Sequence, residues 1–210
     1  MRPLSDSQRE ALEEATTSYQ AALTGAAGFL AARGISRAAA DTHRLGVVVD
    51  PLPGHGRFRG FLAIPYLDRE GRPLSLRFRC LQDHNHRDYG HGKYMSITDE
   101  PARTFHIPAI HQAGNEIHVC EGEFDAIVLN MIGLHAIAIP GATGWQSRHR
   151  RMLAGFNRVW VWGDPDDAGA DFTNDVCRGL RSAKGVRLRD GDVNETYLRG
   201  GASALQALFQ

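Results

Sequence analysis

Two short apolar runs, each followed directly by a cluster of acidic residues, most constrain the fold of this chain. The run at residues 117–120 precedes Glu121-Gly-Glu-Phe-Asp125, and the run at residues 159–162 precedes Gly163-Asp-Pro-Asp-Asp-Ala-Gly169. Both runs are rich in β-branched or aromatic residues and a helical pattern follows each, which is typical of strands in a parallel α/β sheet. Functional crevices lie beyond the carboxyl ends of such strands, so the two acidic clusters are predicted to meet there.

Several carboxylates at one edge of a sheet repel one another unless a cation lies between them. Glu121 and Asp164 follow their strands closely, and Asp125 and Asp166 come shortly after. Mg²⁺ and Mn²⁺ prefer oxygen ligands and are commonly held by a few carboxylates together with substrate phosphates. The sequence therefore predicts a Mg²⁺ or Mn²⁺ site. The alternative is that these are solvated acids favoured by the dipole at helix N-termini.

The composition is that of an ordinary globular protein with one large or two small domains. The 210 residues carry 24 Lys and Arg against 24 Asp and Glu, so no global positive field indicates nucleic-acid binding. Three scattered cysteines, Cys80, Cys120 and Cys177, include no C-x-x-C pair and favour a reduced, cytoplasmic chain. No stretch is long enough to span a bilayer, so no membrane partner is expected.

Local patterns divide the chain into three predicted parts. Residues 1–112 are expected to form a smaller α+β subdomain that begins with a helix capped by Ser7 and Glu10 and includes a β-hairpin. Residues 113–190 are expected to form the parallel sheet with flanking helices, with a last strand at residues 186–188. Residues 191–210 are predicted to be a helical tail.

A polar segment at residues 82–94 contains His84, His86 and His91. These histidines suggest an HNH nuclease or a zinc site. An HNH site needs a ββα-metal frame with a further histidine, and no Cys/His quartet with zinc-ligand spacing is evident. We therefore interpret the segment as a mobile polar loop that leads to Lys93.

The order of the acidic motifs resembles the Toprim domain, which bacterial-type primases, type IA and II topoisomerases and some nucleases share. Its signature is a Glu-Gly after one strand and an Asp-x-Asp after a later one, here Glu121-Gly122 and Asp164-Pro-Asp166. The resemblance implies a Rossmann-like parallel sheet with flanking helices, preceded here by the smaller α+β subdomain.

The first half of the chain resembles the RNA-polymerase core of DnaG-type primases. Phe29-Leu-Ala-Ala-Arg-Gly-Ile-Ser36 is similar to the family's Tyr-Leu-x-x-Arg-Gly-(Ile/Leu)-Ser, and Leu76-Arg-Phe-Arg79 to its terminal hairpin. Lys93-Tyr94-Met95 is similar to its Lys-Tyr-Leu, and Asp192-Val-Asn194-Glu195 to the Asp-Ala-Asn-Glu of phage primase-helicases. The resemblance covers about residues 19–200, and the order of these elements carries it.

This resemblance implies a metal-dependent nucleotidyltransferase that synthesises short RNA primers from NTPs on single-stranded DNA. The implied catalytic residues are Glu121, Asp164 and Asp166. The implied metal ligands are these three together with Asp125 and Asp192. The residues expected to contact the nucleotide or template are Arg77, Arg79, Lys93 and Tyr94.

The chain also departs from the family. The zinc ribbon and the helicase-binding domain are not recognisable, so we expect a stripped core from a phage or mobile element. A replicative helicase and a separate zinc-ribbon protein are its candidate partners. Asn194 stands where bacterial primases have an acid, and Ile107 where they have a second lysine. Two alternatives stay open: a Toprim nuclease or topoisomerase-like strand cutter, and a non-catalytic nucleic-acid-binding replication subunit.

Overall fold

The chain is described from a computed structural model that covers residues 3–98, 100–141, 144–189 and 191–209. It divides into two compact units. The first unit contains the chain up to Ala32 together with Ser36–Pro101, and the second contains Arg33–Ile35 together with the chain from Ala102 onward. The domain boundaries drawn from the sequence, after residues 112 and 190, stay predictions. Within these ranges, no helix combines the length and apolar character that crossing a bilayer requires.

The first unit is a four-stranded antiparallel sheet with helices. Its helices are α1 (Asp6–Ala21), α2 (Ala27–Ala31) and α3 (Arg37–Thr42), and its strands are β1 (Gly46–Val47), β2 (Leu62–Leu67), β3 (Pro73–Arg79) and β4 (Tyr94–Ser96). The strand order is β1-β2-β3-β4. Strands β2 and β3 confirm the predicted hairpin, whereas β1 and β4 were not expected from the sequence.

Helix α1 packs on this sheet and builds the core of the first unit. Tyr19 is buried with Phe58 and Phe78, whose rings stack with centroids 3.8 Å apart. The predicted capping box at Ser7 and Glu10 is wrong. Ser5 is the N-cap instead, because its hydroxyl accepts a hydrogen bond from the backbone N–H of Gln8, and the Gln8 side chain accepts one from Ser5 in return.

The second unit is a four-stranded parallel sheet with flanking helices. Its strands are β5 (Glu116–Cys120), β6 (Ala136–Ala138), β7 (Arg158–Trp162) and β8 (Ala183–Val186), and its helices are α4 (Pro108–Gln112), α5 (Glu123–Met131), α6 (Ser147–Leu153), α7 (Asp167–Gly179) and α8 (Val193–Gln206). The strand order is β6-β5-β7-β8, and all neighbouring strands are parallel. The predicted α/β fold with a Rossmann-like parallel sheet is confirmed.

The last strand lies before its predicted position at residues 186–188. Strand β8 pairs with β7 from Ala183 to Val186, with Val186 opposite Trp162. Ala183, Lys184 and Gly185 have low strand propensity, so this element depends on pairing with β7 rather than on local preference. Tertiary pairing is invisible to a pattern search along the chain.

The two tryptophans of β7 are buried core residues. Trp160 and Trp162 are 8% and 1% exposed. The Trp162 indole N–H donates a hydrogen bond to Nδ1 of His118 on the adjacent strand, at 2.9 Å. Burial, and then the charge of His135, lowers the pKa of His118 to about 4. His118 is therefore neutral at pH 7 and acts as an acceptor inside the sheet.

Candidate active site

The carboxyl ends of β5 and β7 bring Glu121 and Asp164 together. The two strands are parallel neighbours, with Cys120 opposite Trp162, so the residues that follow them share one edge of the sheet. The backbone N–H of Asp164 donates a hydrogen bond to Oε1 of Glu121 at 3.1 Å. This direct contact brings the two acidic motifs together, as the sequence predicts.

Asp125 lies in the first turn of α5 and points back toward the end of β5. A Cβ atom on Gly122 would lie 2.5 Å from Oδ2 of Asp125, so the side chain occupies the space that only glycine leaves free. Asp125 is buried, and its Oδ1 has no hydrogen-bond donor among the described residues. The glycine of the Glu-Gly motif thus makes room for a second carboxylate.

Asp166 begins α7 as its N-cap residue. Its Oδ1 accepts a hydrogen bond from the backbone N–H of Gly169 at 2.8 Å. A side chain on Gly169 would collide with the backbone of Asp164, so the loop between β7 and α7 can be this tight only with glycine there. A pocket of about 370 Å³ opens beside this loop, and its lining includes Asp164, Asp166 and Arg187.

Asp192 is the N-cap of α8, where its Oδ1 accepts a hydrogen bond from the backbone N–H of Glu195 at 2.8 Å. The neighbouring Asn194 is buried, and its side-chain amide donates to the carbonyl of Arg33 at 3.0 Å. Asn194 therefore attaches α8 to the short segment Arg33–Ile35. Its backbone also donates a hydrogen bond to Asp125.

The carboxylates in this cluster raise one another's pKa values. Burial is the largest cause for Asp125, followed by the charges of Asp192 and Asp164. Burial likewise raises the pKa of Asp164, with Asp192 and Asp166 next. Burial and then the charges of Asp164 and Asp166 raise the pKa of Glu121, against the opposing hydrogen bond from Asp164. Like charges held together in a partly dry site need a counter-ion.

This donor set fits Mg²⁺ or Mn²⁺. All five side chains are carboxylates, the ligand type that these cations prefer. Oδ1 of buried Asp125 accepts no hydrogen bond from the described residues, and a cation would give it a partner. The residues predicted to hold metal, and here placed in one unit, are Glu121, Asp125, Asp164, Asp166 and Asp192.

The four residues predicted to contact nucleotide or template lie together in the first unit, on β3, on β4 and just before β4. Arg79 pairs with Tyr94 across the strands, and the Arg77 guanidinium lies 4.5 Å from the centroid of the Tyr94 ring. Arg79 is buried and donates to the carbonyl of Cys80, whereas Lys93 is exposed. Their roles in binding stay predictions.

A second cluster of candidate metal ligands escaped the sequence analysis. The segment interpreted as a mobile polar loop brings His84, His86 and His91 together with Cys80, and one ligand atom from each lies within 4.8 Å of all the others. The fold thus brings together four residues whose spacing along the chain is not that of a zinc ribbon. Cys80 follows directly after strand β3 and forms no C-x-x-C pair, so the pattern along the chain does not mark it as a ligand.

Comparison with known proteins agrees with this architecture. A protein-family model described as Toprim-like matches residues 118–196. The Gene 57 protein of Mycobacterium phage D29 is 30% identical over 153 residues, which cover 70% of this chain and 97% of the phage protein. The matched family model spans the whole acidic cluster, from β5 to the start of α8.

Solved structures show the same fold. The RNA polymerase domain of Mycobacterium tuberculosis primase DnaG superposes with a TM-score of 0.77 at 20% identity, covering 97% of this chain and 83% of that domain. A DnaG primase catalytic domain bound to single-stranded DNA gives 0.74 at 20% identity, with coverages of 95% and 76%. The primase fragment of the bacteriophage T7 primase-helicase gives 0.65 at 21%, with coverages of 86% and 73%.

Proposed function

We propose that this chain, which carries a Toprim-like domain and belongs to the same family as the Gene 57 protein of Mycobacterium phage D29, is a primase-type nucleotidyltransferase. It would join ribonucleotides into short RNA primers on a single-stranded DNA template. The observation that carries the proposal is the convergence of carboxylates at the carboxyl edge of the parallel sheet, including the contact between Glu121 and the Asp164 backbone. The shared fold with DnaG catalytic cores supports it.

Four of the carboxylates accept a hydrogen bond from a backbone N–H at one oxygen, which orients the other oxygen. Oε1 of Glu121, Oδ1 of Asp166 and Oδ1 of Asp192 each accept such a bond, and Asp125 accepts one from Asn194. The second oxygen of each is left to hold a cation. Because the backbone sets the carboxylate planes before any ligand arrives, little reorganisation is needed when substrate binds.

The residues that would hold Mg²⁺ or Mn²⁺ are Glu121, Asp125, Asp164, Asp166 and Asp192. When bound, the cation would lower the pKa of the attacking 3′-hydroxyl and neutralise charge on the triphosphate. The chain itself supplies the burial that strengthens these charge interactions and the backbone hydrogen bonds that orient Glu121, Asp166 and Asp192. The glycines at positions 122 and 169 allow the close approach of the acids.

The basic residues of the first unit would contact the phosphates of the NTP or the template. Lys93 is exposed and follows the loop after β3, so its ammonium group is free to reach a phosphate. Arg77 lies against the Tyr94 ring, which restricts its guanidinium. Binding that depends on phosphate contacts falls steeply as salt rises, and we expect little sequence preference.

Partners are part of the proposal. A DnaG catalytic domain of the same fold has been captured with single-stranded DNA, which supports a single-stranded template for this chain. Another relative in fold is a fragment of a primase-helicase, which supports a replicative helicase as partner. A separate zinc-ribbon protein would supply the recognition of initiation sites.

The test is primer synthesis from labelled NTPs on single-stranded DNA with Mn²⁺. The wild-type chain should extend primers, and Asp164→Asn should not. Asp171→Asn is the matched control, because Asp171 is an exposed acid on α7, the helix that Asp166 caps, and is not among the predicted ligands. Equal synthesis by wild type and Asp164→Asn would refute the assignment of the site. Nicking of plasmid DNA without NTP incorporation would point to the strand-cutting alternative.

A further inference from the structure

We propose that Cys80, His84, His86 and His91 form a zinc-binding site in the first unit. The ligand atoms that these side chains offer all lie within 4.8 Å of one another. The site is separate from the carboxylate cluster, which belongs to the second unit. The inference rests on the geometry of the first unit alone and is independent of the proposed polymerase function.

One pair in this cluster already has the spacing of two zinc ligands. Sγ of Cys80 and Nε2 of His84 are 3.6 Å apart. A tetrahedral zinc ion with ordinary Zn–S and Zn–N bonds separates such a pair by about 3.6 Å. The ring centroid of His84 lies 4.7 Å from that of His86 and 5.1 Å from that of His91. Ligand atoms of a tetrahedral zinc site lie about 3.3–3.6 Å apart, so side-chain movements of about 1 Å from the present limit of 4.8 Å would complete the tetrahedron.

The backbone of the loop builds this arrangement. The N–H of Cys80 donates to the carbonyl of Lys93 at 3.0 Å, which closes the loop between β3 and β4. Within it, residues 86–89 form a 3₁₀ turn that ends at Gly90 in the left-handed region, with φ 69°. The N–H of His91 then donates to the carbonyl of His86 at 3.1 Å. This turn returns His91 to the side of His86.

The surrounding rings hold the imidazoles in place. Tyr89 stacks on His84 with centroids 4.3 Å apart, and Phe61 packs edge-on against His91 at 5.2 Å. Nδ1 of His91 lies 3.0 Å from the carbonyl oxygen of Gly92 and must be the donor of that hydrogen bond. Its Nε2 is then left with a free lone pair, the arrangement found in histidines that bind metal through Nε2.

Three imidazoles packed together are a poor arrangement unless they share a ligand. Nδ1 of His86 is buried and has no hydrogen-bond partner among the described residues. A metal ion shared by the cluster would give this nitrogen or its ring partner a ligand role.

The donor set selects the metal. One thiolate and three imidazole nitrogens are ligands that favour Zn²⁺ over Mg²⁺ or Ca²⁺, which prefer oxygen. Four protein ligands fill a tetrahedral coordination sphere and leave no position open for water, which is typical of a structural site. The ion would fix the connection between β3 and β4, which runs directly into Lys93 and Tyr94.

The test measures zinc in the full-length, untagged chain purified from cells grown with zinc. Mass spectrometry of the metal content should give about one zinc per chain, in line with a four-ligand structural site. His86→Ala and His91→Ala should each lower that content at least about tenfold after dialysis against a mild chelator. His111→Ala, which removes an exposed histidine on α4, is the matched control and should keep the zinc.

Cobalt substitution tests the thiolate separately. Co²⁺ bound to the wild-type chain should show a thiolate-to-metal charge-transfer band that Cys80→Ser removes and Cys177→Ser keeps. If Cys80→Ser fails to fold, the histidine variants still decide the matter, because His86 and His91 are partly exposed. Wild-type protein without zinc, zinc content unchanged in both histidine variants, or a cobalt band retained in folded Cys80→Ser would overturn the proposal.

Discussion

The two candidate metal sites of this chain are built from opposite kinds of ligand. The carboxylate cluster of the second unit holds negative groups that raise one another's pKa values, so it is under electrostatic strain without a cation. The Cys/His cluster of the first unit holds one thiol and three imidazoles, and its His84 and His91 rings pack against Tyr89 and Phe61. We infer that the carboxylate cluster serves chemistry, with an ion that is exchanged together with substrate. The Cys/His cluster, in contrast, serves structure.

The largest expected effect separates chemistry from stability. Asp164→Ala removes a carboxylate from the acidic cluster and should lower the rate of primer synthesis about a thousandfold, since each lost charge-stabilising group at such a site is worth several kcal/mol. The melting temperature should stay the same or rise. Single-turnover assays and thermal melts on the same preparations check both parts. A variant that melts much earlier would mean that the acids stabilise the fold.

The second prediction concerns the Cys/His site, where loss of a ligand should lower the stability of the fold. His91→Ala should reduce the free energy of unfolding by about 4 kcal/mol when free zinc is about a thousandfold above its dissociation constant. Urea melts with and without a zinc chelator provide the measurement, and His111→Ala is the control. If the chelator does not change the urea melt of the wild-type chain, the Cys/His cluster does not stabilise the fold through zinc, and the inferred difference between the two sites is wrong. Carboxylate variants should show no such zinc dependence.

The third prediction concerns the pH dependence of the second unit. His118 has a folded-state pKa of about 4, below the ordinary 6.5, so folding is favoured by the neutral ring. Its contribution is fully present above pH 6.5 and is lost as the pH falls toward 4, by on the order of 3 kcal/mol. His118→Gln should flatten this part of the stability profile, because the amide oxygen still accepts from Trp162 but does not titrate. Denaturant melts at a series of pH values measure it.

The smallest predicted effect is a change in stability with the opposite dependence on pH. The pKa of Asp125 is raised in the folded state, so metal-free protein gains stability as the pH falls through that raised value. Asp125→Asn should therefore stabilise metal-free protein at pH 7 by about 1 kcal/mol, and the gain should shrink toward acidic pH. Saturating Mg²⁺ should abolish or reverse it. A destabilised variant under metal-free conditions would contradict the repulsion inferred here.

The carboxylate cluster could be predicted from the sequence because each acidic motif directly follows the strand that positions it. Each acidic motif follows an apolar run, and parallel strands place their carboxyl ends at one edge, so Glu121 and Asp164 had to be near each other if the runs were neighbours. A helical pattern follows the first run, and helix α5 begins there at Glu123. Strand pattern and helix start signals agree there, which leaves little for tertiary context to change.

The Cys/His cluster could not be predicted because its ligands depend on a turn. The spacing of Cys80, His84, His86 and His91 follows no regular pattern, and the left-handed Gly90 is what returns His91 to His86. The N-cap of α1 was missed for a related reason. Both Ser5-x-x-Gln8 and Ser7-x-x-Glu10 fit the capping pattern, and the structure takes the earlier one.

The hydrogen bond from the Asp164 backbone to Glu121 exists in only one pairing of β5 with β7. A slip of one residue would turn Glu121 to the opposite face of the sheet, because side chains alternate along a strand. A misaligned chain would therefore carry every acid of the motif and still offer no cluster. A divalent cation would bind only the correctly aligned sheet and draw the folding population toward it by mass action. The supply of that cation during synthesis would then govern how much correctly aligned protein forms.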